Sequence, residues 1–309
     1  MAWFMDADGY LPFVVSLLVV PLARPLSDRL PPRAATWLLT ALSGLTALAT
    51  TLTLLALAAG GLVQLTRFAD LTGLPVALLR AGAQTSPLVA ALATVALVVA
   101  LTACAVAAVR LRRAGRAARA AFAHLPDDGM VAILDDPAPD AFALPGRPGR
   151  VVVSTGMLAL LDEAGEKVLL AHEAAHLTGR HHVFRAVTRL AAALNPLLRP
   201  VVRAVDYSTE RQADEQAATA LGDRARAARV LGRIALSRGT PPATLGIGDR
   251  TGPLPRRVLA LLGAPPRHRV TLPVTVAAFV LTALWGPYDL ALDLRDLLLG
   301  ASAGERNPC

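Results

Sequence analysis

Four long apolar stretches dominate the hydropathy pattern of the chain. A helix needs roughly 20 apolar residues to cross the hydrocarbon core of a bilayer, and three of the stretches reach that length almost without charge. The remaining stretch, which comes first in the chain, is shorter. The pattern predicts membrane spans at about residues 9–23, 36–60, 86–109 and 270–288.

The first stretch differs from a secretory signal peptide in its charge. A signal peptide carries positive charge before its apolar core, whereas here Asp6 and Asp8 precede the core and Arg24 follows it. We therefore expect a first span with its N-terminus outside.

The arginines predict which side each loop faces. Short loops rich in Lys and Arg stay in the cytoplasm, and the strongest basic cluster, Arg110 to Arg119, follows the third span. The sequence thus predicts a multi-pass protein of the cell membrane. Its three parts are a membrane region with a basic cytoplasmic flank (1–121), a cytoplasmic domain (122–267), and a fourth span with a short external tail (268–309).

Composition supports this division. Of the 309 residues, 54% are hydrophobic and 17% charged, whereas soluble domains carry about 25% charged residues. The net charge is +8, but the arginines gather beside apolar runs. This placement suits the anionic inner leaflet of a bilayer and speaks against direct binding of nucleic acid.

The cytoplasmic segment combines short strands with helices. Met130–Asp135, Ala141–Leu144 and Arg150–Ser154 are short apolar runs separated by Asp, Pro and Gly, which is typical of strands. Acidic residues that suit a helix start and Gly179 as a stop predict a helix over about 163–179.

A broken helical hairpin is expected next, over residues 183–205. Pro196 and Pro200 interrupt it, and Arg185 and Arg189 recur at four residues and mark a polar face. Such a pattern is typical of an amphipathic element near the membrane surface. Helical patterns resume over about 205–221 and 223–238.

The helix at 163–179 carries His172-Glu173-Ala174-Ala175-His176. Residues four apart lie on one face of a helix, so both imidazoles can bind one metal ion, with Glu173 beside them to activate water. This HExxH pattern predicts one zinc ion per chain.

Two residues compete to be the third zinc ligand. His182 completes the pattern HExxHxxGxxH, but that pattern belongs with a downstream Met-turn, and all four methionines lie upstream. Glu210, with Asp214 four residues later, is the other candidate. There, Glu210 would bind zinc while Asp214 hydrogen-bonds the outer nitrogen of a ligand histidine.

Together these motifs resemble the integral-membrane gluzincin metallopeptidases. The resemblance covers about residues 130–262 in motif and the whole chain in topology. It is greatest for the BlaR/MecR-like family, whose zinc domain also lies between the third and fourth spans, and HtpX-like and CAAX-protease relatives share the motifs. It implies an α-helical membrane protein with an inserted α+β zincin-like metallopeptidase domain.

The resemblance also implies roles for individual residues. His172, His176 and Glu210 would be the zinc ligands, Glu173 the catalytic base and Asp214 the hydrogen-bond partner of a ligand. An extended substrate would pair with the strand formed by Val151, Val152, Val153 and Ser154, by strand addition.

The chain departs from the antibiotic sensors of that family. Those sensors carry a penicillin-binding domain with a Ser-x-x-Lys nucleophile after the last span. Here about 21 residues follow Tyr288, and the sole lysine, Lys167, lies inside the zinc domain. We expect no sensing of β-lactams by acylation.

Three further residues are weaker candidates. His181 and His182 could stabilise an oxyanion or cap the helix end, and the structural role is favoured. Tyr207, one turn before Glu210, could donate a hydrogen bond to the transition state or pack as an ordinary tyrosine.

The resulting hypothesis is a membrane-anchored zinc endopeptidase acting at the cytoplasmic face. It would cleave a regulatory or membrane protein, in signal transduction or in quality control of membrane proteins. Its partners would be a protein or peptide substrate, the lipid bilayer and, as one candidate, a repressor-like regulator. The alternative is a catalytically silent signalling or scaffold protein of the same fold, against which the intact Glu173 argues.

Overall fold

The structure is a computed structural model that describes residues 11–63, 86–125, 129–237 and 254–264. The predicted fourth span, the external tail and residues 9 and 10 of the first span lie outside the described residues. Within them, the chain is mostly helical.

Three helices near the N-terminus are long and apolar enough to cross a membrane. They are α1 (Leu11–Arg29), α2 (Pro32–Val63) and α3 (Pro87–Ala121). Ser86 caps the start of α3 by accepting a hydrogen bond from the Val89 amide, as expected for serine at this position. These helices support the prediction of a membrane protein.

A three-stranded sheet follows α3. It consists of β1 (Val131–Leu134), β2 (Ala141–Leu144) and β3 (Arg150–Ser154). The strand order is β1-β3-β2, with β1 parallel and β2 antiparallel to β3. The central strand β3 is therefore paired along both edges.

Most of the remaining described residues form helices. Asp162 caps one of them by accepting a hydrogen bond from the Gly165 amide at 2.8 Å, and Gly222, at φ 78°, ends another in the left-handed conformation that favours glycine. The helices are α4 (Thr155–Ala159), α5 (Glu163–Thr178), α6 (His181–Leu194), α7 (Arg199–Leu221), α8 (Arg224–Ser237) and α9 (Leu254–Leu262).

Two apolar cores organise these elements. The sheet core joins β2 and β3 to α5, α7, α8 and α9 through residues such as Val153, Leu169 and Ile234. The span core joins α1 and α2 to α6 and α7 through residues such as Val19 and Val205. Helix α7 belongs to both cores.

The α6–α7 hairpin packs along the candidate spans. At its turn, Asn195 Nδ2 donates hydrogen bonds to Ser16 Oγ at 2.8 Å and Thr50 Oγ1 at 3.3 Å. At 1.5 Å per helical residue, Ser16 lies about 20 Å along α1 from Arg29. The sequence predicts a hairpin near the membrane surface. The structure adds that Asn195 at its turn contacts both of the first two candidate spans, and that this contact lies well inside the length of α1.

Candidate metal centre

Helix α5 presents both motif histidines toward α7. Its buried residues Val168 and Leu169 anchor it in the sheet core, which fixes the rotation of the helix about its axis. His172 and Glu173 are consequently buried, and His176 is nearly so. The four-residue spacing of His172 and His176 thus places both imidazoles on one face of α5.

The structure brings Glu210 of α7 to these histidines. The Nε2 atoms of His172 and His176 lie 3.3 Å apart. Glu210 Oε2 lies 3.6 Å from His172 Nε2, and Glu210 Oε1 lies 3.5 Å from His176 Nε2. Among the described residues, His172, His176 and Glu210 each offer one ligand atom, and these three atoms lie within 4.8 Å of one another, close enough to hold one metal ion.

These distances fit zinc. Zinc bonds to nitrogen and carboxylate oxygen are about 2.0–2.2 Å long in tetrahedral sites, which separates neighbouring ligand atoms by about 3.3–3.6 Å. The separation of the two histidine nitrogens falls in this range, and each nitrogen has one of the two Glu210 oxygens within it. Three protein ligands leave a fourth position for water, as in catalytic zinc sites.

Asp214 supports His172 from behind. Its Oδ1 atom lies 3.1 Å from His172 Nδ1, the nitrogen turned away from the trio. Burial lowers the pKa of His172, but hydrogen bonds to Asp214 and Glu210 and the charges of both carboxylates outweigh it and raise the pKa to about 9. The carboxylate therefore fixes the ring with Nε2 facing Glu210.

His181 supports His176 in the corresponding way. The two Nδ1 atoms lie 2.8 Å apart, and His181 is 1% exposed. A side chain at Gly179 would place its Cβ 2.5 Å from His181 Nε2, so glycine makes room for this ring. Burial lowers the pKa of His181 to about 4, with the Arg185 charge adding to the effect.

Two arginines neutralise the buried carboxylates. Arg257 of α9 donates to Asp214 through Nε at 2.8 Å and Nη2 at 2.6 Å, and its Nη1 lies 2.8 Å from Glu210 Oε2. Arg185 of α6 donates from Nη2 to Glu210 Oε1 at 2.5 Å. Burial raises the pKa of Glu210, but Arg257 above all outweighs burial and holds the pKa well below its usual range.

The sequence did not reveal either arginine. Arg185 was expected on the polar face of a surface hairpin, but it is 6% exposed and also contacts Thr209 and Asp206. Arg257 lies in the segment before the predicted fourth span, far along the chain from the HExxH motif. The acidic pair Glu210 and Asp214 of α7 does indicate that positive partners are needed, because buried carboxylates require them. Nothing in the sequence says which arginines supply the positive charge.

The other candidates lie elsewhere. His182 is exposed and lines a surface cavity of about 370 Å³ with Arg119, Pro145, Gly146 and Arg147, and it is not part of the metal-binding trio. The Tyr207 hydroxyl lies near Asp28, and burial raises the pKa of this hydroxyl. The structure therefore places His182 outside the trio, and the two roles considered for Tyr207 stay predictions.

The predicted substrate strand is wrong. Val151 to Ser154 form most of β3, whose two edges already pair with β1 and β2, so its backbone cannot accept a further strand. The sequence identified the strand correctly but could not give its position in the sheet. Edge strand β2, which packs on α5, has the position required for strand addition.

Comparison with known families points to a peptidase. Residues 107–198 match the family model described as Peptidase family M48. The matched stretch is less than a third of the chain and contains His172, Glu173, His176, His181 and Arg185, but ends before Glu210. No curated protein and no solved structure matches the chain.

The match agrees with the geometry of the site. It supports a metallopeptidase, and peptidases of this family are typically zinc-dependent. Together with the three apolar helices, it supports a membrane-associated protease.

Proposed function

We propose that the chain is a membrane-anchored zinc endopeptidase of the HExxH-plus-glutamate type, with His172, His176 and Glu210 as the zinc ligands. The observation that carries the proposal is the trio itself, with the two histidine nitrogens 3.3 Å apart and one Glu210 oxygen 3.5 or 3.6 Å from each. The supports on Asp214 and His181 strengthen it, because ligand histidines in zinc sites commonly have such hydrogen-bond partners. The zincin-like arrangement of sheet and helices and the BlaR/MecR-like resemblance belong to this proposal.

Zinc bound by the trio would lower the pKa of a water molecule toward about 7 and polarise a peptide carbonyl. The remaining work falls to protein groups. Glu173 accepts the proton of the attacking water and passes it to the leaving amine. Arg185 and Arg257 keep Glu210 ionised, and Asp214 and His181 hold the two imidazoles in position.

Strand β2 would hold the substrate. The Ser154 amide donates to the Asp140 carbonyl at 2.9 Å, and the register pairs Phe142 with Val152. Because hydrogen-bonded pairs alternate along antiparallel strands, the N–H and C=O of Ala143 face away from β3. An extended peptide could pair with them by strand addition.

The proposed substrate is a regulatory or membrane protein reached from the cytoplasm, such as a repressor-like regulator. Support comes from Arg110 to Arg119, which continue α3 beyond its apolar segment and favour the cytoplasmic side. Reporter fusions after Arg119 should report a cytoplasmic location. An external report would contradict the proposed substrate class.

Comparing wild type with Glu173→Gln tests the peptidase. The substitution keeps the size of the side chain and leaves the ligands untouched, so zinc content should remain near one per chain. Loss of general base catalysis costs about 100-fold to 10,000-fold in rate. Membrane and cytoplasmic proteins of cells carrying wild type should therefore contain fragments that are missing with the variant.

The same comparison distinguishes the scaffold alternative. If both proteins hold zinc, no fragment differs, and both rescue a deletion phenotype equally, the peptidase proposal fails. The catalytically silent signalling protein would then take its place.

A further inference from the structure

The connection between α1 and α2 is joined to α7 at residues directly beside Glu210 of the candidate metal-binding trio. Arg211 Nη1 donates to the carbonyl of Ser27 at 2.7 Å, with the carbonyls of Asp28 and Leu30 at 3.3 and 3.4 Å. Carbonyls at the end of a helix lack partners within it and carry partial negative charge. The buried Arg211 guanidinium therefore caps the C-terminal end of α1.

Three more side chains complete this contact. The Asp28 carboxylate pairs with Arg256 of α9 and lies near the Tyr207 hydroxyl. The Arg256 guanidinium carbon lies 4.2 Å from the centroid of the Tyr207 ring, in the range of a cation–π contact. Asp28, Tyr207, Arg211 and Arg256 are called the Asp28 cluster below.

The Asp28 cluster touches the metal site at two places through adjacent residues. On α7, Arg211 of the cluster follows ligand Glu210. On α9, Arg256 of the cluster precedes Arg257, which binds both Glu210 and Asp214. Helix α9 therefore holds the end of α1 with one arginine and the carboxylates of the metal site with the next.

The cluster is suited to opening. The side chains of Asp28 and Arg256 are 38% and 28% exposed, and ion pairs that reach solvent contribute little stability. By contrast, the Arg257 side chain is 12% exposed, and that of its partner Asp214 is 2% exposed. A movement of α1 relative to α9 would break the exposed contact first and release one anchor of α9.

We propose that the Asp28 cluster positions Arg257 and Glu210, so that the connection between the first two candidate spans sets the zinc affinity of the site. Asp28 and Arg256 are positioning residues, because they act on the ligand set through Arg257 and touch no reacting group. This inference rests on the proposed zinc peptidase and gives its membrane segment a regulatory role.

Zinc affinity of the full-length protein, measured by competition with a chelator of known affinity, tests the inference. Asp28→Asn and Arg256→Gln should each weaken zinc binding by about fivefold to tenfold, the lower end of coupling between linked sites. The double variant should bind no more weakly than the weaker single variant, because both remove the same contact. Arg226→Gln is the matched control, since it removes an exposed ion pair with Asp162, and it should leave zinc affinity unchanged.

Thermal unfolding of the metal-free protein separates positioning from general stability. A cluster that only stabilises the fold would lower the unfolding temperature in Asp28→Asn and Arg256→Gln while zinc affinity stays at the wild-type value. That result overturns the inference. Tyr207→Phe, which loses only the hydroxyl beside Asp28, should weaken zinc binding by about threefold. This variant serves if the charge variants fail to fold, and wild-type zinc affinity in it also overturns the inference.

The wild type distinguishes the two proposals. Zinc bound near one per chain, with equal affinity in wild type and cluster variants, refutes only the role of the Asp28 cluster. A wild-type protein that binds no zinc refutes the proposed function and this inference together.

Discussion

The two helices that carry the proposed ligands rest on different parts of the molecule. Helix α5 is anchored in the sheet core through Val168 and Leu169. Helix α7 reaches the sheet core through Ala217 and Ala218, but it also packs against α1 and α2 in the span core, through residues such as Val201 and Val205. The metal centre therefore forms at the junction between a sheet-based region and the candidate membrane helices.

The difference shows how the ligand set is assembled. His172 and His176 are brought together by one turn of one helix, so their spacing needs no tertiary contact. Glu210 meets them only because α7 packs against α5. The α5 side should therefore govern chemistry and substrate binding, whereas the α7 side should govern whether the metal site is complete.

Removing the ligand from the α7 side should have the largest effect. Glu210→Ala leaves two ligands, so zinc affinity should fall by more than the roughly 10- to 100-fold typical of losing a hydrogen-bond partner of a ligand. His182→Ala is the control and should keep zinc near one per chain in metal analysis of purified protein. Loss of zinc from His182→Ala but not from Glu210→Ala would reverse the assignment.

The two supports of the histidines should differ in strength. Asp214→Ala removes a charged partner from His172 and leaves Arg257 without its bidentate acceptor, so we expect a loss of zinc affinity near 100-fold. His181→Ala removes an uncharged partner from His176, and a loss near 10-fold is expected. Competition with a chelator measures the zinc affinity of both variants. Equal losses would show that the charge of the hydrogen-bond partner does not determine how strongly it supports its histidine.

A substitution in the edge strand β2 should reduce cleavage of the substrate without changing zinc content. Ala143→Pro deletes the outward N–H, which costs one hydrogen bond to an extended substrate and should reduce cleavage about fivefold to tenfold. Proline is tolerated on edge strands, and Ala143→Val, which keeps the N–H, is the matched control. Cleavage of a peptide substrate and zinc content would be measured together, and equal cleavage by both variants would contradict substrate pairing with β2.

The smallest effect is expected where the hairpin meets the spans. Asn195→Ala removes hydrogen bonds to Ser16 and Thr50, and polar contacts between membrane helices contribute about 0.5–1.5 kcal/mol. Thermal unfolding in detergent should show this loss, with zinc affinity nearly unchanged. A large loss of zinc would mean that the depth of the hairpin also controls the metal site.

The bounds of single strands and helices could be predicted from the sequence. The predicted strand bounds at Ala141–Leu144 and Arg150–Ser154 agree with β2 and β3, because Asp, Pro and Gly interrupt apolar runs on both sides. Helix α5 begins and ends within a residue of its prediction, since Asp162 is a strong N-terminal cap and Gly179 a natural stop.

Contacts between distant segments were not readable. The start of α7 was placed near residue 205, whereas the helix begins at Arg199, because Pro200 is compatible with a first helical turn as well as with a break. The position of β3 within the sheet and the pairing of His181 with His176 depended on how whole elements pack.

The sequence by itself determined three long apolar helices, the paired histidines of α5 and the acidic pair of α7, because each is a periodic pattern within a single element. Only the tertiary structure decided that Glu210 meets those histidines, that Arg185 and Arg257 neutralise the buried carboxylates, and that β2 is the edge strand beside α5. These contacts join residues far apart in the chain. Many arginines could have supplied the same charge, and packing of the two cores selects which ones do.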